Sequence, residues 1–332
     1  MKSEIGESTR AYRRGLGIAR HLLTARWLRI VLSIGLLAGI AWHASIPEVL
    51  TALKSTAARW PYLVLALIVP GIGVLVCAMR WQVLLRAVAV RIGLPRLFCG
   101  FLVGNFFNQF FPSTIGGDIA RGWWIHRRQD TVPLGLTVVA ADRVVGVAGI
   151  CLVGLAAAFA QPDLLREKLV IWPIVALLAM IGISLIAIAH PALQAVIRKF
   201  IARIQFLEPV ESRLRDVLNG MTALRAAPGS LGSALVLSCI LQAVVVCQFT
   251  ILAAALDLGM DFAALAVIVP IVSLLTILPI SINGIGVREV GLAAVGAAFG
   301  LSIDGAIALA WLFLLIATLY ALVGGLIYLL NQ

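Results

Sequence analysis

From Leu231 to Leu256, and again from Ala306 to Leu330, the chain carries no charged side chain. A continuous apolar run of roughly 20 residues is long enough, as a helix, to cross the hydrocarbon core of a bilayer. No water-soluble fold has an interior large enough to hide several such runs. The composition agrees: 62% of residues are hydrophobic and 12% charged, and the mean hydropathy is +1.06. Soluble domains run nearer half apolar and a quarter charged. The apolar runs are continuous, whereas strands of an outer-membrane barrel alternate in short segments. The chain therefore reads as an all-α integral membrane protein.

Six segments have the length and polarity of full transmembrane helices: about Leu28–His43, Tyr62–Met79, Pro133–Ala160, Leu169–Ala189, Leu231–Leu256 and Ala306–Leu330. Two further apolar regions, about 97–126 and 262–300, are interrupted by glycine and proline and read as re-entrant helical hairpins. A basic tail (1–27) precedes one transmembrane domain (28–332), and the length leaves no room for a large soluble module. The first apolar run reads as an uncleaved span, since cleavage after Ala44 would put Trp42 where a small residue is needed. Basic residues crowd the tail, the stretch Arg80–Arg96, Arg127 and Arg128, and the 190–229 loop. The opposite segments hold only Lys54, Arg59, Arg166 and Lys168. That asymmetry orients both termini toward the cytoplasm of a plasma (inner) membrane, and the tryptophans fall near span ends as an aromatic belt would. Within about 191–229, residues Leu193, Val196, Ile197, Phe200, Ile201 and Ile204 form one apolar stripe, the pattern of a helix lying on the inner leaflet.

The net charge of +11 is explained by those cytoplasmic loops, which removes the case for nucleic acid as a partner. Five cysteines lie in apolar stretches without a CxxC pair, and four scattered histidines show no ligand spacing. No metal and no cofactor is expected.

The informative residues lie at the two interruptions. "FFPSTIGGDIAR" begins at Phe110 and "PISINGIGVRE" at Pro279. Pro112 and Pro279, Ile115 and Ile282, Gly117 and Gly284, and Arg121 and Arg288 recur in register, about half the chain apart. Three full spans separate them, so the first hairpin enters from the cytoplasm and the second from outside. Broken helices of opposite orientation are the sequence pattern of an inverted-repeat transporter. A helix broken at Gly116, Gly117, Gly284 and Gly286 exposes unpaired backbone N–H groups, which only a protein-lined or wet cavity tolerates. Helix N-termini together with Arg121 and Arg288 suit an anion, and phosphate suits the guanidinium fork best. Asp118 and Glu289 are candidates for charge relay or for bracing those arginines. Asp142 and Arg143 have two readings, a functional pair within a span or charges near enough to its end to reach water. Asn105, Asn108 and Gln109 share one helical face, either lining a polar groove or bonding a neighbouring helix.

The Pro-x-x-x-Gly-Gly-Asp-x-x-Arg block at Pro112–Arg121, the Asp142–Arg143 pair and the Pro279–Glu289 block together resemble the membrane region of lysylphosphatidylglycerol synthase/flippase proteins. The resemblance covers nearly everything after the tail, with one departure, Asn283 where a glycine is expected. It implies movement of a lipid with an anionic or phosphate-linked (prenyl-phosphate, for example) headgroup between leaflets, without aminoacylation and without enzymatic activity. No GxxxxGK[ST] loop is present for ATP drive, which leaves downhill or ion-coupled movement with Asp118, Asp142 and Glu289 as possible proton carriers. Two other readings stand beside it: a membrane partner of a separate glycosyl- or aminoacyl-transferase, and an enzyme acting on lipid phosphates. The latter lacks a base, nucleophile or metal cluster in the sequence. Oligomeric state is not written in the pattern.

Overall fold

The computed structural model describes residues 47, 51, 53–54, 56–110, 117, 120–122, 124, 132–160, 175, 227–278, 281 and 283–331. Among them every regular element is helical. A 3-10 turn at Thr56–Arg59 leads into α1 (Trp60–Ala87), followed by α2 (Leu94–Phe110), α3 (Val132–Phe159) and α4 (Pro228–Ala255). Then come α5 (Phe262–Ile277), α6 (Val287–Gly296) with a 3-10 turn at Ala297–Phe299, and α7 (Ile303–Leu330). The helices α1, α3, α4 and α7 contain windows long and apolar enough to cross a membrane. Each has 28 residues, about 42 Å at 1.5 Å per residue. The protein is a multi-pass membrane protein.

The helix ends follow local chemistry. Proline in the first turn starts α1 and α4, where its missing N–H costs nothing. Asp261 caps α5 by accepting from the Ala264 N–H at 2.7 Å, and Ser302 caps α7 by accepting from Gly305 N–H at 3.1 Å. The helix expected over Pro133–Ala160 is α3, and those expected over Leu231–Leu256 and Ala306–Leu330 are α4 and α7. The segment read as Tyr62–Met79 runs on to Ala87, so Arg80 lies inside a helix and not in the loop that its charge suggested. Trp81 next to it is 2% exposed and stacks edge-on against Phe101 at 5.3 Å, which takes it out of the interfacial belt. The expected spans Leu28–His43 and Leu169–Ala189 (all but residue 175), the tail and the amphipathic segment up to residue 226 lie outside the described residues.

Packing is built on small residues. Helix α4 lies along α1 and α3, and α7 lies along α2. A Cβ at Gly149 would collide with Ser238 of α4, and one at Gly324 with the Leu102 carbonyl of α2. Helices in lipid gain little from apolar burial against each other, so close backbone approach of this kind supplies the contact. Two apolar clusters result. One joins α1, α2 and α3 around Leu84, Leu97 and Val138. The other joins α4, α5, α6 and α7 around Leu252, Leu265, Ile268 and Leu309. Large apolar side chains such as Ile68 on α1 and Leu315, Leu322, Leu326 and Leu329 on α7 are exposed, as lipid-facing surfaces require.

Candidate functional site

At both interruptions the chain doubles back on the preceding helix. After α2, the Gly117 N–H donates to Asn108 Oδ1 at 3.0 Å, and Arg96 donates to the Trp124 carbonyl at 3.2 Å. The order 108 with 117 and 96 with 124 makes the return segment antiparallel to α2. Gly117 sits so close that a Cβ would strike the Asn108 side chain and the Gly104 carbonyl, so no larger residue fits. In the second interruption, a Cβ at Gly284 would meet Thr276 and one at Gly291 would meet Val272 and Leu275, so α6 returns antiparallel along α5. The turn between them takes positive φ at Asn283 (50°), Gly284 (75°) and Gly286 (84°). Asn283 is the departure from the expected glycine, and asparagine is among the few side chains that tolerate this region.

Each return helix presents its arginine one turn past the break. Arg121 is buried, its guanidinium lies over the Phe101 ring at 4.6 Å, and Nε donates to the Gly117 carbonyl at 3.4 Å. The Arg288 guanidinium lies over Phe313 at 4.7 Å and Nη2 donates to the Asn283 carbonyl at 3.3 Å. Both lie within the ~6 Å at which a ring face attracts a cation. Arg288 Nη1 is buried and finds no hydrogen-bond partner among the described residues.

The two interruptions meet. Asn283 Nδ2 donates to Gln109 Oε1, and Gln109 Nε2 donates to Thr318 Oγ1 of α7 at 2.9 Å. The residue that departs from the expected glycine thus bonds the first motif to the second. Around this junction lies a cavity of about 550 Å³ lined by Arg121, Arg288, Asn105, Asn108, Gln109 and Asn283, among others. Both readings of the asparagine–glutamine face hold, since these side chains line the cavity and Gln109 also bonds a neighbouring helix.

The opposite lining comes from α1, α3 and α4. Arg80 Nε donates to Asp142 Oδ1 at 2.6 Å, forming a buried ion pair, and Nη1 donates to Ser238 Oγ at 2.9 Å. Gly146 leaves the guanidinium its space. Asp142 is therefore held by α1, and its setting is a three-helix junction of α1, α3 and α4. Arg143 is exposed and also lines the cavity. Arg80, Ser238, Gln242 and Gln248 were not singled out as site residues from the sequence, although Ser238 and Gln242 stand one turn apart in a span without charged residues.

Glu289 stands next to Arg288 in the first turn of α6. It is 1% exposed, and Oε2 accepts the Gly286 N–H at 2.7 Å, capping the start of α6. Gly116 and Asp118 lie outside the described residues. No cluster of histidine, cysteine or carboxylate able to hold a metal occurs among the described residues.

Residues 26–324 match the sequence model of a family described as lysylphosphatidylglycerol synthase TM region. No curated protein and no solved structure matches the chain.

Proposed function

We propose that this chain, which belongs to the family of the lysylphosphatidylglycerol synthase transmembrane region, moves an anionic or phosphate-linked lipid between leaflets. The headgroup occupies the cavity between the two interruptions while the hydrocarbon tails stay in the bilayer. Arg121 and Arg288 hold the phosphate, helped by Asn108, while the Gly117 and Gly286 N–H groups are already taken by Asn108 Oδ1 and Glu289 Oε2. The hairpins are re-entrant and related as an inverted repeat, and the protein sits in the inner membrane with both termini cytoplasmic. It acts as a translocator and not as an enzyme.

One observation carries this reading. Arg288 presents a buried N–H with no acceptor among the described residues, in a cavity that also takes Arg121. A buried unpaired donor costs about 1–3 kcal/mol, more for a charged group, and an anionic ligand removes that cost. The Phe313 face behind the Arg288 guanidinium leaves its N–H edge for an acceptor. The test is leaflet exchange in proteoliposomes, read by external quenching of headgroup-labelled phospholipids and prenyl-phosphate lipids. The intact protein exchanges at least one of them selectively, and Arg121→Ala/Arg288→Ala abolishes it. Equal exchange by both proteins, or none by a folded intact protein, would overturn the reading; in the second case copurification with a transferase becomes the next question.

A further inference from the structure

Helix α1 carries a proline in its interior, Pro70. Proline has no N–H to give to the carbonyl four residues back, so the hydrogen-bond ladder of α1 is weakest over that turn. Tyr320 of α7 reaches the same turn. Its hydroxyl donates to the Leu67 carbonyl at 2.5 Å and faces the Gly71 N–H. The approach depends on glycine, because a Cβ at Gly71 would lie 2.9 Å from the hydroxyl oxygen.

The seam closed by this bond runs from the cavity to the lipid. Pro70 and Gly73 of α1 and Ala317 and Tyr320 of α7 line the cavity. Within a turn of them, Leu67 and Ile68 on α1 and Leu319 and Val323 on α7 are exposed. Three other seams around the cavity are closed by tight contact at glycine. A Cβ at Gly149 of α3 would collide with Ser238 of α4, one at Gly154 of α3 would lie 3.0 Å from the Pro270 ring of α5, and one at Gly324 of α7 would strike the Leu102 carbonyl of α2. Parting those helices strips packed faces from each other, whereas α1 and α7 meet here through one tyrosine ring. That ring packs against both apolar clusters.

A lipid whose headgroup enters the cavity needs a slit for its tails, since hydrocarbon is stable only in apolar surroundings. We propose that the α1–α7 seam is the lateral portal between bilayer and cavity, that Tyr320 is its latch, and that breaking the Tyr320–Leu67 bond limits exchange. This rests on the headgroup reading of the cavity.

The experiment is leaflet exchange of headgroup-labelled phospholipids in proteoliposomes. Tyr320→Phe keeps the ring and removes only the hydroxyl. We expect it to exchange lipid about fivefold faster than the wild-type chain, as the loss of one neutral hydrogen bond implies. Unchanged or slower exchange by the folded variant overturns the latch. A second protein, with the native cysteines replaced, carries Gly71→Cys and Tyr320→Cys together; without the hydroxyl the new side chain at 71 has room. A short bis-methanethiosulfonate should tie the seam and stop exchange, and reductant should restore it. Exchange that persists in the tied protein, or an equal block by a monofunctional methanethiosulfonate, overturns the portal. Arg121→Ala/Arg288→Ala separates the two claims. If that protein loses exchange while the tied one keeps it, the headgroup reading stands and the portal falls. If the wild-type chain exchanges none of the lipids, both fall.

Discussion

Arg80 and Arg288 are the same side chain in the same cavity, and they are held in opposite ways. Arg80 has a carboxylate at 2.6 Å and a hydroxyl at 2.9 Å, and its partners come from α3 and α4. Arg288 has a ring face, one backbone carbonyl at 3.3 Å and a buried N–H without a partner among the described residues. Charges in a bilayer interior are expensive and are paired or functional. The first arginine spends its charge on tying three helices together; the second keeps its bonding capacity open. The difference separates a closed ion pair from an arginine whose buried donor is open to the ligand of the proposed function.

The largest effect comes from breaking the closed pair. Asp142→Ala leaves Arg80 buried without its counter-ion, and we expect a loss of about 3–5 kcal/mol, read as a large fall in melting temperature in detergent. Arg80→Met with Asp142→Leu should recover most of it, because the pair as a whole stabilises little relative to an apolar replacement. Arg288→Ala should do the reverse, holding the melting temperature while leaflet exchange falls at least about tenfold, as loss of a charged hydrogen bond implies. If Arg288→Ala unfolds the protein as severely as Asp142→Ala, the comparison fails.

Two glycines sharpen it further. A Cβ at Gly104 would lie 2.7 Å from Arg121 Cγ and Nε, whereas one at Gly146 would lie 3.4 Å from Arg80 Nη1. Gly104→Ala should push Arg121 aside and cut exchange severalfold, and Gly146→Ala should be tolerated in both exchange and melting assays. The smallest effect lies outside the cavity. Exposed Asp257, just after α4, pairs with Arg59 at 2.5 Å. Its carboxyl is held below the usual range first by the Arg59 hydrogen bond and then by the Arg59 charge. A lowered folded-state value means that this stabilisation is present above the usual carboxylate range and is lost as pH falls through the lowered value. Melting curves from pH 6 downward should show a slight acid loss that Asp257→Asn removes.

Much of this was legible in the sequence. Uninterrupted apolar runs specify α3, α4 and α7 within a few residues, because in lipid a helix must satisfy its backbone internally. Gly284 and Gly286 locate the turn between α5 and α6, and Arg121 and Arg288 line one cavity. What the sequence hid was pairing across distance. Arg80 reads as a loop charge beside Arg86 and Arg91, and only the fold brings Asp142 to it and lets α1 run on to Ala87. Glu289 reads as a partner for arginine, and only the fold shows that it also caps α6 through the Gly286 N–H. Asn283 reads as a departure from pattern, and the departure supplies the bond to Gln109.

That bond offers the most direct test of the central claim, that interruptions from the two halves of the chain meet at the translocation cavity. With the five native cysteines replaced, Gln109→Cys and Asn283→Cys are introduced together and treated with a short bis-maleimide in proteoliposomes. We expect the cross-link to form within one chain and to stop lipid exchange, with each single-cysteine protein unaffected by the reagent. Failure to cross-link, or full exchange by the cross-linked protein, would contradict it.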